Sequence, residues 1–288
     1  MPTVDEISTW HSRIVGILSV ALNVLLLFVI WFRSLKIIGA FKYIMMASTV
    51  LDIMFSAVCI VSSPTIASTK LLSSVMIVSG GVKLPYNCSM AIMIFFVFLL
   101  CESIITPLCM FVFRYLQICR SHYLTDHYRR VRYLAIMPAF ISSSTCAMFC
   151  FAAWPTESDL LKFNEIASTI NVKWDSPYLV ASFHKEETAF DRAQSTTLYV
   201  VALYLVVIMI STIMLMIFCS TSIIRVVRRG THEKTRRIQL QLYRSLLAQA
   251  IIPFLFIHIP FYLCVLAPLV QERRALNEDE DSLVCYKT

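Results

Sequence analysis

Six long apolar stretches separated by charged connections constrain this chain more than any other feature. They cover residues 14–32, 44–62, 90–113, 133–154, 196–224 and 245–270. Lipid cannot hydrogen-bond a bare backbone, so a run of about 20 apolar residues crosses it as a helix. Hydrophobic residues make up 58% of the chain and charged residues 15%, with a mean hydropathy of +0.72. That leaves too few charges to clothe a water-facing surface. Five glycines and ten prolines exclude collagen-like and low-complexity architectures. The ten cysteines are scattered, with only Cys146 and Cys150 close together, so neither a zinc ribbon nor a disulfide framework is indicated. The expected fold is a single all-α membrane domain over residues 1–288.

Charge placement orients the spans. The first, third and fifth connections, counted from Arg33, Arg114 and Arg225, hold 15 Lys and Arg against two acids, Asp126 and Glu233. The N-terminal segment, the other connections and the segment after residue 270 hold 10 basic residues against 14 acids. Basic short loops stay in the cytoplasm, which puts the N-terminus outside. The net charge of +7 is then mostly topological, and no nucleic-acid partner is expected. Asp5 and Glu6 precede the first span and no small-residue cleavage site follows it, so that span reads as retained.

Residues 71–82 are short and carry Ser73, Ser74, Ser79, Gly80 and Gly81, and read as an outer loop. Residues 155–195 form a long extracellular loop. Within it Ile170, Val172 and Trp174 alternate with Asn171 and Lys173 before the turn residues Asp175, Ser176 and Pro177. With residues 178–183 this suggests a β-hairpin lid, an unstructured connection being the alternative. Residues 271–288, with Glu272, Arg273, Arg274 and the run from Glu278 to Asp281, are a polar tail that cannot enter lipid. The sequence shows no seventh span.

Polar side chains fall at one depth. At a rise of about 1.5 Å per residue, Asn23 and Asp52 both lie roughly 15 Å from the cytoplasmic boundary. Glu102 lies at roughly 18 Å, His258 at roughly 21 Å and Pro253 at roughly 14 Å. An Asp at a helix centre costs about 2.5–3.5 kcal/mol on insertion scales, so span two should be stable mainly when packed with Asp52 inward. Asn23 and Asp52 read as interhelical hydrogen-bonding glue or as a switching pair. Glu102 and His258 are the candidate ligand contacts, with a structural bond between neighbouring helices as the alternative for Glu102. Pro253 and Pro260 each remove a backbone donor, so a bend is expected between Gln249 and Pro260.

On the basic side, span three closes on Phe113, Arg114 and Tyr115, followed by Cys119 and Arg120. A cation at that helix end also suits simple snorkelling. The run from Arg225 to Arg237 leads into Ile238, Leu242 and Leu246, one face of an amphipathic extension of span six. Such a helix docks a partner protein or anchors on anionic lipid.

Three motifs then carry a resemblance. Residues 23–46 read N-V-L-L-L-F-V-I-W-F-R-S-L-K-I-I-G-A-F-K-Y-I-M-M, span three ends in F-R-Y-L-Q-I-C, and span six starts K-T-R-R-I-Q-L-Q-L-Y-R-S-L-L-A-Q-A-I-I-P. The last motif is carried by Gln239, Gln241, Leu242, Ala248, Gln249 and Pro253. The chain resembles the nematode serpentine chemoreceptors of the Str superfamily. The resemblance implies a rhodopsin-like helical bundle with six recognisable transmembrane helices, the seventh absent. It also implies a G-protein-coupled olfactory receptor in the plasma membrane of a sensory neuron cilium. Under it, Arg114, Tyr115, Arg236, Arg237 and Gln241 face a heterotrimeric G protein, while Asn23, Asp52 and Pro253 form the switch. A small odorant or soluble cue is the ligand, and a receptor dimer stays open. Phe113 stands where rhodopsin-like receptors place an acid, so no adjacent carboxylate can lock Arg114.

The alternative is a truncated, non-signalling membrane subunit or the product of a decaying receptor gene, favoured by the unrecognised seventh helix. A transporter would show internal repeats or glycine-broken spans, and only Gly16 of the five glycines lies in a span. An enzyme is not expected, because no metal-spacing motif or activated nucleophile accompanies Asp52, Glu102 and His258. No cofactor or metal is indicated.

Overall fold

The computed structural model describes residues 4–33, 41–69, 74–79, 81–82, 84–120, 122, 128–156, 178–183, 188–230 and 233–263. Six helices dominate them: α1 Val4–Arg33, α2 Phe41–Ser62, α3 Tyr86–Cys119, α4 Tyr128–Ala152, α5 Ala189–Gly230 and α6 Glu233–Pro253. The apolar runs of the sequence lie on these helices for the same reason that they enter lipid: a helix satisfies its own backbone. Among the described residues five helices are long and apolar enough to cross a bilayer, and α4 contributes the shorter apolar stretch Ile136–Ala152. The upper part of the sixth predicted span, residues 264–270, and the polar tail lie outside the described residues.

α3 is the hub. It packs against α2, α4, α5 and α6, and 61% of its most apolar window is buried, against 11% for α1 and 17% for α2. Met93, Phe96, Val97 and Leu100 of α3 meet Phe149 of α4, Leu198 of α5 and Phe261 beyond α6 in one core cluster. A second cluster at the opposite end joins Phe41, Phe111 and Phe113 to Cys219 and Leu246. α1 and α2 approach closely because Gly16 has no side chain. A Cβ there would stand 2.5 Å from Cγ1 of Ile60.

A three-stranded antiparallel sheet closes the bundle end opposite the basic connections. β1 Pro64–Thr69 pairs with β2 Ser74–Ser79, and β2 pairs with β3 Tyr178–Ser182. This corrects one expectation: the segment 71–82 is not a plain loop but contains β2, and β3 pairs with it. The segment 170–177, expected to form the other half of a hairpin, lies outside the described residues. Sequence patterning could not find the pairing, because strands joined across about a hundred residues leave no local turn signal. β3 is buried along its whole length, and the Val180 amide donates to the Ala153 carbonyl at 2.9 Å. Leu179, Ala181 and Phe183 thereby enter the main core. Beside the hairpin, Gly81 donates its amide to the Ser62 carbonyl at 2.9 Å. A Cβ at Gly81 would sit 1.9 Å from the Val61 oxygen, so only glycine allows this docking.

Beyond Pro253 the helix opens into a π-helical turn, Phe254–His258, before regular helix resumes. What the structure shows where the two prolines predict a bend is this π-helical turn, and a residue without an amide donor frees carbonyls one turn back.

Gly16→Val should destabilise the bundle by about 1–3 kcal/mol through overpacking, read as a lowered thermal midpoint of the detergent-solubilised protein. Adding Ile60→Ala should restore a large part of the loss. A neutral Gly16→Val would show that α1 and α2 are not packed as described.

Candidate functional site

Two clefts flank α6, and each holds one of the two ligand candidates from the sequence. The first lies between α2, α3 and α6, lined by Ser48, Asp52, Glu102, Thr106, Gln249 and Pro253 among others, with about 540 Å³ of empty space including its mouth. The second lies between α3, α5 and α6, lined by Ser103, Met209, Thr212, Phe254, His258 and Tyr262 among others, with about 340 Å³ on the same measure. Ser103 and Pro107 of α3 reach both. The structure therefore does not bring Glu102 and His258 into a common site, and the bond considered between them is not formed.

Glu102 is 6% exposed. Its Oε1 accepts a hydrogen bond from Thr106 Oγ1 one turn along, at 3.3 Å, while Oε2 is buried with no partner. A buried carboxyl oxygen without a partner carries the desolvation cost of that group uncompensated. Asp52 faces the same interhelical cleft, the inward side expected of it, while its side chain stays exposed there. The helices around it leave the α2 face open.

Asn23 and Asp52 do not meet directly. Asn23 Nδ2 donates to the Ser19 carbonyl at 3.0 Å and to Ser19 Oγ at 3.3 Å. Ser19 Oγ lies 2.7 Å from Ser56 Oγ, which donates to the Asp52 backbone carbonyl at 2.8 Å. Each hydroxyl has one proton, and that of Ser56 is used, so Ser19 is the donor between α1 and α2. The interhelical glue is thus a serine pair with Asn23 behind it. The i, i+4 spacings of Ser19 with Asn23 and of Asp52 with Ser56 were its only trace in the sequence.

His258 is held through a defect in α3. Pro107 has no amide to give to the carbonyl of residue 103 one turn back, and His258 hydrogen-bonds to the backbone of Ser103. The freed carbonyl accepts the imidazole N–H. In the neutral ring the other nitrogen is then an acceptor, and Nδ1 is indeed buried with no partner. Thr212 is buried nearby, and Tyr262 donates its hydroxyl to the Leu205 carbonyl at 3.2 Å. The cleft wall is otherwise apolar, with one unused acceptor.

Toward the basic end, Arg114 is 1% exposed. It does not snorkel. Nη1 donates to Gln117 Oε1 at 2.8 Å, Nη2 donates to Gln239 Oε1 of α6, and the guanidinium lies over the Phe41 ring at 5.1 Å. Phe41 in turn stacks on Phe113 with ring centroids 6.2 Å apart. Two amides and a ring thus replace the carboxylate that position 113 lacks. Gln239 and Gln117 were not singled out as site residues, though Gln239 sits in the motif that opens span six. Tyr115 packs on Phe218 of α5 at 5.7 Å. Arg236, Arg237 and Gln241 are exposed, and Arg237 pairs with Glu233 at 2.9 Å.

Gln239→Leu should cost about 1–3 kcal/mol, because it leaves a buried guanidinium short of an acceptor. Gln241→Ala, two residues on but exposed, should stay within about 0.5 kcal/mol. Thermal midpoints of the purified variants check this, and equal effects would remove the Arg114–Gln239 clamp as a structural element.

Among curated proteins none matches this chain. A family model does match, over residues 8–279, and its description is serpentine type 7TM GPCR chemoreceptor Str. That is a family of membrane receptors and not of enzymes. With its apolar helices, its hub at α3 and a match across most of its length, the chain belongs to the Str family of serpentine seven-transmembrane chemoreceptors.

Proposed function

We propose that the chain is a chemosensory receptor of a nematode sensory neuron cilium, set in the plasma membrane with its N-terminus outside. It binds a small odorant in the cleft between α3, α5 and α6 and signals to a heterotrimeric G protein at the basic end. The observation that carries this reading is that α6 links the two ends. It holds Gln239 against Arg114, and 19 residues further on, roughly 28 Å along a helix, it presents His258 to the cleft. The π-helical turn and Pro253 lie between them.

An occupant of the cleft that pushes on His258 or Phe254 shifts α6 about that turn. Such a shift draws Gln239 from Arg114 and opens the basic end, a helix displacement of the kind that switches packed bundles. Arg114, Tyr115, Arg236, Arg237 and Gln241 then meet the G protein. Asn23 and Asp52, joined through Ser19 and Ser56, hold α1 to α2 while α6 moves. The ligand class follows from the wall. A neutral Nδ1 acceptor in an apolar cleft suits a small apolar molecule with one O–H or N–H donor. A carbonyl compound of equal size offers no such group.

In cells expressing the chain with a calcium or cyclic-nucleotide reporter, short primary alcohols should therefore outperform ketones of matched size. His258→Leu should raise the half-maximal concentration of an active alcohol about tenfold, the worth of one hydrogen bond in a dry site. Unchanged potency at normal surface expression would place the ligand elsewhere.

A further inference from the structure

Two spaces in the bundle meet at one side chain. Ile104 of α3 lines the cleft that holds His258, and it also lines a second cavity between α3, α4 and α5, about 310 Å³ on the same measure. The second cavity lies nearer the sheet. α3 reaches it through Val97 and Cys101, and reaches the cleft through Ser103 and Pro107. Its walls come from three helices that pack on one another pairwise, and from Phe261.

The surface of this cavity is apolar throughout. The Thr145 hydroxyl donates to the Ile141 carbonyl at 2.8 Å, and a thiol such as that of Cys101 is a weak donor. A cavity of this kind holds no water and takes an apolar guest, because its lining lacks packing partners. On the α5 side the partition between the two spaces is tied. Tyr262 lines the cleft and donates to the carbonyl of Leu205, a residue of the second cavity. Ile104 is the untied part, since its side chain turns aside without breaking a hydrogen bond.

We propose that the ligand is a straight-chain primary alcohol whose tail passes Ile104 into the second cavity, with Ile104 as the gate that sets which chains are accepted. This rests on the assignment of the ligand hydroxyl to His258 Nδ1. With the head group held there, each methylene that moves from water into apolar surroundings is worth about fourfold in affinity. A linear tail threads past Ile104, whereas a tail branched beside the hydroxyl carbon is stopped by it.

The test measures half-maximal concentrations of linear butanol, hexanol and octanol in the reporter cells, for the unaltered chain and its variants at matched surface expression. Longer alcohols also concentrate in lipid, so the readout is the ratio of variant to unaltered chain, from which partition cancels. Cys101→Met fills the second cavity and leaves the cleft alone. It should raise the value for octanol about tenfold and leave that for butanol within about twofold. Ile104→Ala should lower the value for an octanol isomer branched beside the hydroxyl carbon about fivefold, which serves if Cys101→Met does not reach the surface. An equal change for all three linear alcohols in Cys101→Met, or none, would overturn the proposal, as would an unaltered response to the branched isomer in Ile104→Ala. His258→Leu separates the two readings. If it weakens all three linear alcohols while Cys101→Met is unselective, the head-group assignment stands and the tail cavity falls. If it changes nothing while Cys101→Met selects against octanol, the head-group assignment falls and the ligand's placement with it. Silence toward every alcohol at normal surface expression would overturn both.

Discussion

Hydrocarbon offers no hydrogen bonds, and the architecture of this chain follows from where its polar groups go instead. The backbone goes into helices. The sheet sits at one end of the bundle, where β3 is sealed between β2 and the main core and gives its Val180 amide to Ala153. Inside the bundle several polar side chains are matched to partners that neighbouring helices bring to them. The serine pair joins α1 to α2, the Ser103 carbonyl takes His258, and Gln117 with Gln239 takes Arg114. Glu102 Oε2 and His258 Nδ1 are among the buried atoms left without a partner.

Prolines do much of the positioning. Pro107 removes one backbone bond from α3, and the carbonyl released becomes the anchor for α6 at His258. Pro253 begins a π-helical turn in α6, between that anchor and the Arg114 clamp. The clamp is made of amides rather than a carboxylate, so its strength depends on geometry more than on charge. Chain position 113 is free to be aromatic because Arg114 finds its acceptors on Gln117 and, from across the bundle, on Gln239.

The polar layer was legible in outline and wrong in its pairings. Depth arithmetic put Asn23, Asp52, Glu102 and His258 within a few turns of one another, since helical rise alone sets depth. Depth does not set azimuth. Glu102 and His258 line different clefts, one on each side of the helix that carries His258, and Asp52 shares the cleft of Glu102. Arg114 read as an exposed helix-end cation, because its partner Gln239 lies 125 residues away. The pairing of β2 with β3 joins two separate connections, which leaves no local signal in the sequence.

From the sequence alone came the membrane, the helices, the bend at the prolines and the family motifs. These rest on local quantities: apolar run length, the missing amide of proline, and short strings of residues. Tertiary structure alone decided which polar atoms meet, because that depends on how each helix is rotated about its axis. It chose Ser19 with Ser56, Gln239 with Arg114 and His258 with Ser103. It also placed Glu102 and Asp52 together on the cleft between α2, α3 and α6.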